Sequence, residues 1–225
     1  MKNIENNIKI LKKKIQYLLK NNNSLFKEIK IIAASKNQSV EKIQTVLSSG
    51  IYEFGENYIQ ESIIKINKLK KNNKIIWHFI GKLQSKKTKL VAQYFDWCQT
   101  IDREKIAILL NKHRTNKQLP INVLMQINIS KEENKNGICI KNYKKLAKII
   151  SKMPHLNFRG IMAMPKKEKE VIKYYNYENI RNIFNILKNE YKSVDTLSLG
   201  TSFDIDTALI YNSNMIRIGK DIFNR

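Results

Sequence analysis

Hydrophobic positions along the chain follow two patterns in succession. Residues 3–20 place Ile4, Ile8, Leu11, Ile15, Leu18 and Leu19 at helical spacing, which predicts one amphipathic helix. From residue 30 onward, short apolar runs rich in β-formers alternate with longer stretches of helical period. The runs predict strands at 30–35, 51–54, 75–80, 97–101, 121–129, 157–163, 195–199 and 215–218. Helices are predicted between them at 39–49, about 57–70, 84–94, 102–114, 141–152, 168–190 and 203–212, and the short segment DIFNR ends the chain. Ser39 has the chemistry of an N-cap, and Gly50 suits the stop of the same helix.

Strict alternation of strand and helix implies parallel strands joined by crossover helices. Eight such units predict a closed (β/α)8 TIM barrel with an extra N-terminal helix, in a single domain covering 1–225. A doubly wound open sheet is the competing arrangement, but neither GxGxxG nor Walker A is present to support it.

Composition narrows the function classes. The 225 residues can bury a substantial core, and a hydrophobic content of 42% excludes a disordered chain. The formal charge of +23 invites a nucleic-acid reading. The excess is mostly lysine, accompanied by abundant Asn and Ile as AT-rich coding produces, and it is scattered through every predicted helix. No zinc-finger, RRM or KH signature accompanies it, so a nucleic-acid partner is not expected. Cys98 and Cys139 lie in separate elements and fit neither a disulfide framework nor a metal site. They read as thiols in a reducing cytosol, and a cytoplasmic protein is expected. His78, His113 and His155 lack metal-ligand spacing, and no apolar run is long enough to span a membrane.

In a barrel of this kind the chemistry gathers at the C-terminal ends of the strands. The residues there are Lys36; Gly55-Glu56-Asn57; Gly81 to Ser85; Asp102-Arg103; Ser130; Met162 and Met164; Gly200-Thr201-Ser202; and Arg217 to Lys220. Lys36 ends the run IIAASK, which puts an amine at the mouth of a buried strand. Partial desolvation there would free its lone pair for attack on a carbonyl. Gly200-Thr201-Ser202 and Gly219-Lys220 follow the last two strands, where barrels often bind phosphate with backbone N–H groups and a helix N-terminus. Ordinary N-capping by Ser202 and a simple turn glycine account for the same residues equally well. Arg217 interrupts the apolar run MIRI on the same side as Gly219, and it serves either a ligand or a structural ion pair. An imine-forming lysine, a phosphate cradle and a cation near a ring nitrogen are the parts of a pyridoxal 5′-phosphate (PLP) site.

The motifs IIAASK (31–36), FGENYIQE (54–61), WHFIGKLQSKK (77–87), QINISKEENKNG (126–137), RGIMAM (159–164), LSLGTS (197–202) and MIRIG (215–219) run through nearly the whole chain. In that order they resemble the pyridoxal-phosphate homeostasis proteins, which look like the barrel domain of alanine racemase standing alone. The resemblance implies a fold-type III PLP barrel with Lys36 as the Schiff-base residue. It implies that Ser202, Gly219 and Lys220 hold the phosphate, that Arg217 approaches the pyridine nitrogen, and that Asn57 and Ser198 lie near the cofactor. Three positions depart from the family pattern. Lys220 replaces a Thr or Ser, Thr201 replaces a Met, and Lys82 stands where His or Pro is usual.

The resemblance also bears on turnover. Alanine racemase uses a second base from a separate C-terminal β-domain, and this sequence stops at Arg225. The expectation is a monomeric PLP carrier that supplies PLP-dependent apo-enzymes without robust turnover. A slow amino-acid racemase is the alternative.

Overall fold

The computed structural model describes residues 2–21, 26–116, 118–130, 136–165 and 170–224. The stretch 131–135 within one family motif, the first two residues of the helix predicted at 168–190, and Arg225 lie outside the described residues. The strands are β1 (Lys30–Ala34), β2 (Glu53–Glu56), β3 (Ile76–Phe79), β4 (Trp97–Ile101), β5 (Ile121–Asn128), β6 (Ile138–Cys139), β7 (Leu156–Ala163), β8 (Thr196–Ser198) and β9 (Met215–Ile218). Their hydrogen-bonded order is β4-β3-β2-β1-β9-β8-β7-β5-β6, and β4 also pairs with β5. The result is the expected (β/α)8 barrel of eight parallel strands. The two-residue β6 is an unanticipated addition beside β5. The helices are α1 (Lys2–Asn21), α2 (Val40–Ser48), α3 (Ile59–Leu69), α4 (Thr88–Tyr94), α5 (Glu104–His113), α6 (Tyr143–Ile150), α7 (Glu170–Glu190), α8 (Ile205–Ile210) and α9 (Lys220–Phe223).

By internal contacts the chain forms two compact units, Met1–His78 with Ser198–Arg225, and Phe79–Leu197. In the first, β1 pairs in parallel with β2 and β9, with Ala34 opposite Gly55 and Ile32 opposite Arg217. The apolar stripe of α1 is buried through Ile4, Ile8, Leu11 and Ile15, so this helix is part of the core. Buried Asn7 donates to the Ile222 carbonyl at 3.1 Å and ties α1 to α9. Ser39 caps α2 as expected, and Gly50 ends it at φ +77°.

In the second unit, β5 pairs with β4 and β7. Its core includes an edge-to-face Phe79–Phe95 pair with centroids 5.5 Å apart. Buried Arg114 donates to the carbonyls of Ala92, Phe95 and Leu119 and so satisfies the end of α4. Gly160 has φ +139°, and a Cβ there would lie 2.0 Å from the Thr196 carbonyl oxygen, so only glycine fits.

Strand and helix boundaries differ from the sequence expectation where side-chain pattern alone sets them. The strand expected at 51–54 lies at Glu53–Glu56, because the Ile51 amide still bonds to Val46 at the end of α2. Glu56 therefore belongs to the strand, and Asn57 is the first residue beyond it. The helices expected at 84–94 and 141–152 each begin with a 3₁₀ turn, Ser85–Lys87 and Ile140–Asn142. The helix expected at 203–212 shrinks to Ile205–Ile210, since Thr201 and Asp204 first close a turn. DIFNR contributes most of the short helix α9.

Candidate functional site

Every residue singled out as a PLP contact lies in the first unit: Lys36, Asn57, Ser198, Ser202, Arg217, Gly219 and Lys220. They fall on two rims, one after β1 and β2 and the other formed by the last residues of β8 and β9 and the loops that follow.

On the first rim, Ser35 closes β1 by donating its amide to the Gly55 carbonyl at 2.9 Å. Lys36 and Asn37 form the turn that follows, with Asn37 at φ +59° in the left-handed region that Asn tolerates. The Lys36 side chain is exposed. This corrects the expectation of a partly desolvated amine, because the strand that buries Ala33 and Ser35 ends one residue too early to enclose it. Lys36 is set apart by its position at the end of β1. Asn57 occupies the matching position after β2, and its Oδ1 is buried with no hydrogen-bond partner among the described residues.

Beneath the Lys36 turn lies a buried ionic cluster that sequence reasoning missed. Lys65, on α3 and 5% exposed, donates to the Ser35 carbonyl at 2.7 Å, to Glu56 Oε1 at 2.8 Å and to Glu61 Oε1 at 2.5 Å. Those three bonds use all three protons of the ammonium. Glu56 Oε1 also accepts the Ser35 hydroxyl at 2.6 Å. Glu61 Oε1 accepts the Asn37 amide at 2.7 Å. Burial pushes the Glu56 carboxyl above its ordinary range, against the opposing pull of the Lys65 and Ser35 hydrogen bonds. The available signal was Glu61 and Lys65 at i,i+4 on a predicted helix, a spacing that ordinarily marks a solvent-face pair.

On the second rim, Arg217 projects from β9 and is 5% exposed. Its Nη1 donates to the Ser198 carbonyl at 3.0 Å and to Ser198 Oγ at 2.5 Å. The Arg217 amide bonds to the Gly200 carbonyl at 2.9 Å. Gly200 has φ +97°, and a Cβ would meet that of Ala208 at 2.8 Å, so glycine is required. Ser202 does not cap α8. Asp204 occupies that position, and Ser202 Oγ instead accepts the Asp221 amide at 3.1 Å, joining the loop after β8 to the first turn of α9. Asp204 Oδ1 takes both the Thr201 amide, at 2.7 Å, and the Thr201 hydroxyl, at 2.6 Å. The expectation that Thr201 offers its amide to an anion is therefore corrected, because a carboxylate already holds it.

Gly219 has φ −113°, and a Cβ would make only ordinary contact with Ala34 at 3.5 Å. Close approach to the protein backbone is thus not what calls for glycine at this position. As the first residues of α9, Gly219 and Lys220 carry amides with no intrahelical acceptor. The Lys220 ammonium lies over the Phe203 ring, 5.6 Å from its centroid.

Among the described residues no group of three or more His, Cys, Asp or Glu side chains is placed to hold a metal ion. No described helix is long and apolar enough to cross a membrane. Cys98 and Cys139 are both unpaired, and burial raises the Cys98 thiol to about 11.

In this barrel an exposed lysine follows the first strand, and a buried arginine stands on the neighbouring strand. The family model for the alanine racemase N-terminal domain matches residues 1–224. The pyridoxal phosphate homeostasis protein of Buchnera aphidicola subsp. Schizaphis graminum is 70% identical over 224 residues, covering 99% of this chain and 98% of its own. The protein of the same name from Buchnera aphidicola subsp. Acyrthosiphon pisum is 57% identical, over 88% of this chain and 99% of its own. The structure of PipY from Synechococcus elongatus PCC7942 with PLP bound superposes with a TM-score of 0.85 at 23% identity, covering 98% of this chain and all of PipY. The chain belongs to the family of pyridoxal phosphate homeostasis proteins, within the alanine racemase N-terminal barrels.

Proposed function

We propose that this chain holds pyridoxal 5′-phosphate as a Schiff base on Lys36 and acts in intracellular PLP homeostasis, with little or no turnover. The observation that carries the reading is the placement of Arg217. Its guanidinium is buried and held by Ser198 on β8, and its strand β9 is hydrogen-bonded to β1, the strand that leads to Lys36. The residues present fit the cofactor. Asn57 Oδ1 is a buried acceptor without a partner among the described residues. The loops after β8 and β9 are joined through Ser202 at the first turn of α9. The names of the relatives point the same way.

Bound PLP supplies an aldehyde and an electron-withdrawing ring. The chain's residues supply the rest. Lys36 provides the amine, and its exposure leaves it open to an incoming aldehyde. Ser202 and the amides of Gly219 and Lys220 bind the phosphate, with hydroxyl and N–H donors at a helix start. Arg217, whose guanidinium carries donors and no acceptor, would present a donor to the ring nitrogen. A donor from Arg217 there would leave that nitrogen unprotonated, which would suit storage over carbanion chemistry. PLP-dependent apo-enzymes in the cytoplasm are the recipients in this reading.

The test is spectroscopic. Purified protein mixed with PLP should develop a visible imine absorbance that Lys36→Ala abolishes, and chiral chromatography should detect no amino-acid racemisation. Lys36-dependent racemisation would replace the carrier reading with that of a slow racemase.

A further inference from the structure

The two peptide groups that flank Lys36 are held by one ion pair. The Ser35 carbonyl, on the N-terminal side, accepts from Lys65 Nζ at 2.7 Å. The Asn37 amide, on the C-terminal side, donates to Glu61 Oε1 at 2.7 Å. Lys65 and Glu61 are themselves bonded at 2.5 Å, one turn apart on α3. Both ends of the Lys36 backbone are therefore pinned to a single helix. Glu56, fully buried on β2, anchors Lys65 from below and takes the Ser35 hydroxyl. The Lys36 side chain itself is exposed. Its backbone is held on both sides while its side chain reaches solvent.

We infer that Glu61 and Lys65 are positioning residues for imine formation. They set the direction in which Lys36 leaves the barrel wall and hence the approach of its amine to the aldehyde carbon. This inference rests on the PLP reading above. The step they serve is addition of the Lys36 amine to the aldehyde, with loss of one water to give C=N. Its rate depends on near-attack geometry, whereas non-covalent binding of the phosphate and ring depends on the other rim.

The two dependences can be separated with pyridoxine 5′-phosphate, which carries the phosphate and ring but no aldehyde. Glu61 is only partly buried, with its side chain 29% exposed, and Lys65 keeps Glu56 as its counter-charge when Glu61 is replaced. In Glu61→Ala the imine-formation rate constant, read by stopped-flow absorbance with PLP, should fall about tenfold or more. Affinity for pyridoxine 5′-phosphate should stay within about twofold, since one exposed hydrogen bond away from the ligand carries little binding energy. Glu61→Gln keeps an acceptor for the Asn37 amide and should recover part of the rate; it also serves as the test variant should Glu61→Ala fail to fold. Wild-type rates in both variants would overturn the inference. So would a parallel loss of pyridoxine 5′-phosphate affinity, which marks a general structural role. Absence of any imine in the wild-type protein is a separate outcome, and it would overturn the PLP reading itself.

Discussion

The two rims of the candidate site are built from different materials. The rim after β1 and β2 rests on charge out of water, Lys65 and Glu56 with Ser35 beside them, and on the partly exposed Glu61. The rim after β8 and β9 rests mainly on hydroxyls and backbone amides, with Ser202 bonded to the Asp221 amide, beside the Asp204 carboxylate that holds Thr201. A buried ion pair is costly to break and therefore rigid, because removing either Lys65 or Glu56 strands the other. Hydroxyl–amide contacts are worth far less, and they can be exchanged for a ligand's oxygens at little cost. In the proposed function the covalent point thus sits on the stiff rim, and the rim that would receive an anion is the adaptable one. Arg217 bridges the two properties, being buried yet held by a neutral hydroxyl and carbonyl.

Four substitutions test this contrast, in decreasing order of expected effect. Lys65→Met should cost about 3–5 kcal/mol in urea unfolding, since it leaves Glu56 buried without its counter-charge. Gly200→Ala should cost roughly 1–3 kcal/mol, from strain at φ +97° and crowding against Ala208, and it should also weaken phosphate binding by shifting Ser202. Ser202→Ala should leave the urea midpoint nearly unchanged and lower affinity for pyridoxine 5′-phosphate about fivefold, the worth of roughly one hydrogen bond. If Ser202→Ala proved as destabilising as Lys65→Met, the distinction between the rims would fail.

The smallest effect concerns pH. The Glu56 carboxyl is raised by burial, so the folded chain binds its proton more tightly than the unfolded chain does. Stability contributed by this group is therefore greatest at low pH and declines as pH rises above the ordinary value of 4.5 toward the raised folded value. Glu56→Gln should remove that decline, so the slope of urea stability against pH in this window should become more positive than in the wild type. An unchanged slope would show that Lys65 fully compensates the burial.

The sequence made the barrel legible because eight β-rich runs recur with helical stretches between them, and period alone distinguishes the two. Lys36 and Arg217 stood out as charges at the end of, or within, apolar strands. The Glu56–Lys65–Glu61 cluster was hidden because Glu61 and Lys65 look like any i,i+4 pair on a lysine-rich surface helix. Only pairing of β1 with β2 brings the Ser35 carbonyl and the Asn37 amide to them. The same limit applies to Ser202, which local chemistry allows as a cap and which the fold assigns to Asp221. Lys220 likewise reads as a phosphate ligand in sequence, while its ammonium lies over Phe203.

The most direct measurement of the central claim is borohydride reduction of the PLP-treated protein, followed by peptide mapping. The account predicts a single dominant phosphopyridoxyl-lysine at Lys36, despite the many exposed lysines that compete for the aldehyde. Label distributed over surface lysines, or concentrated at one other than Lys36, would contradict it.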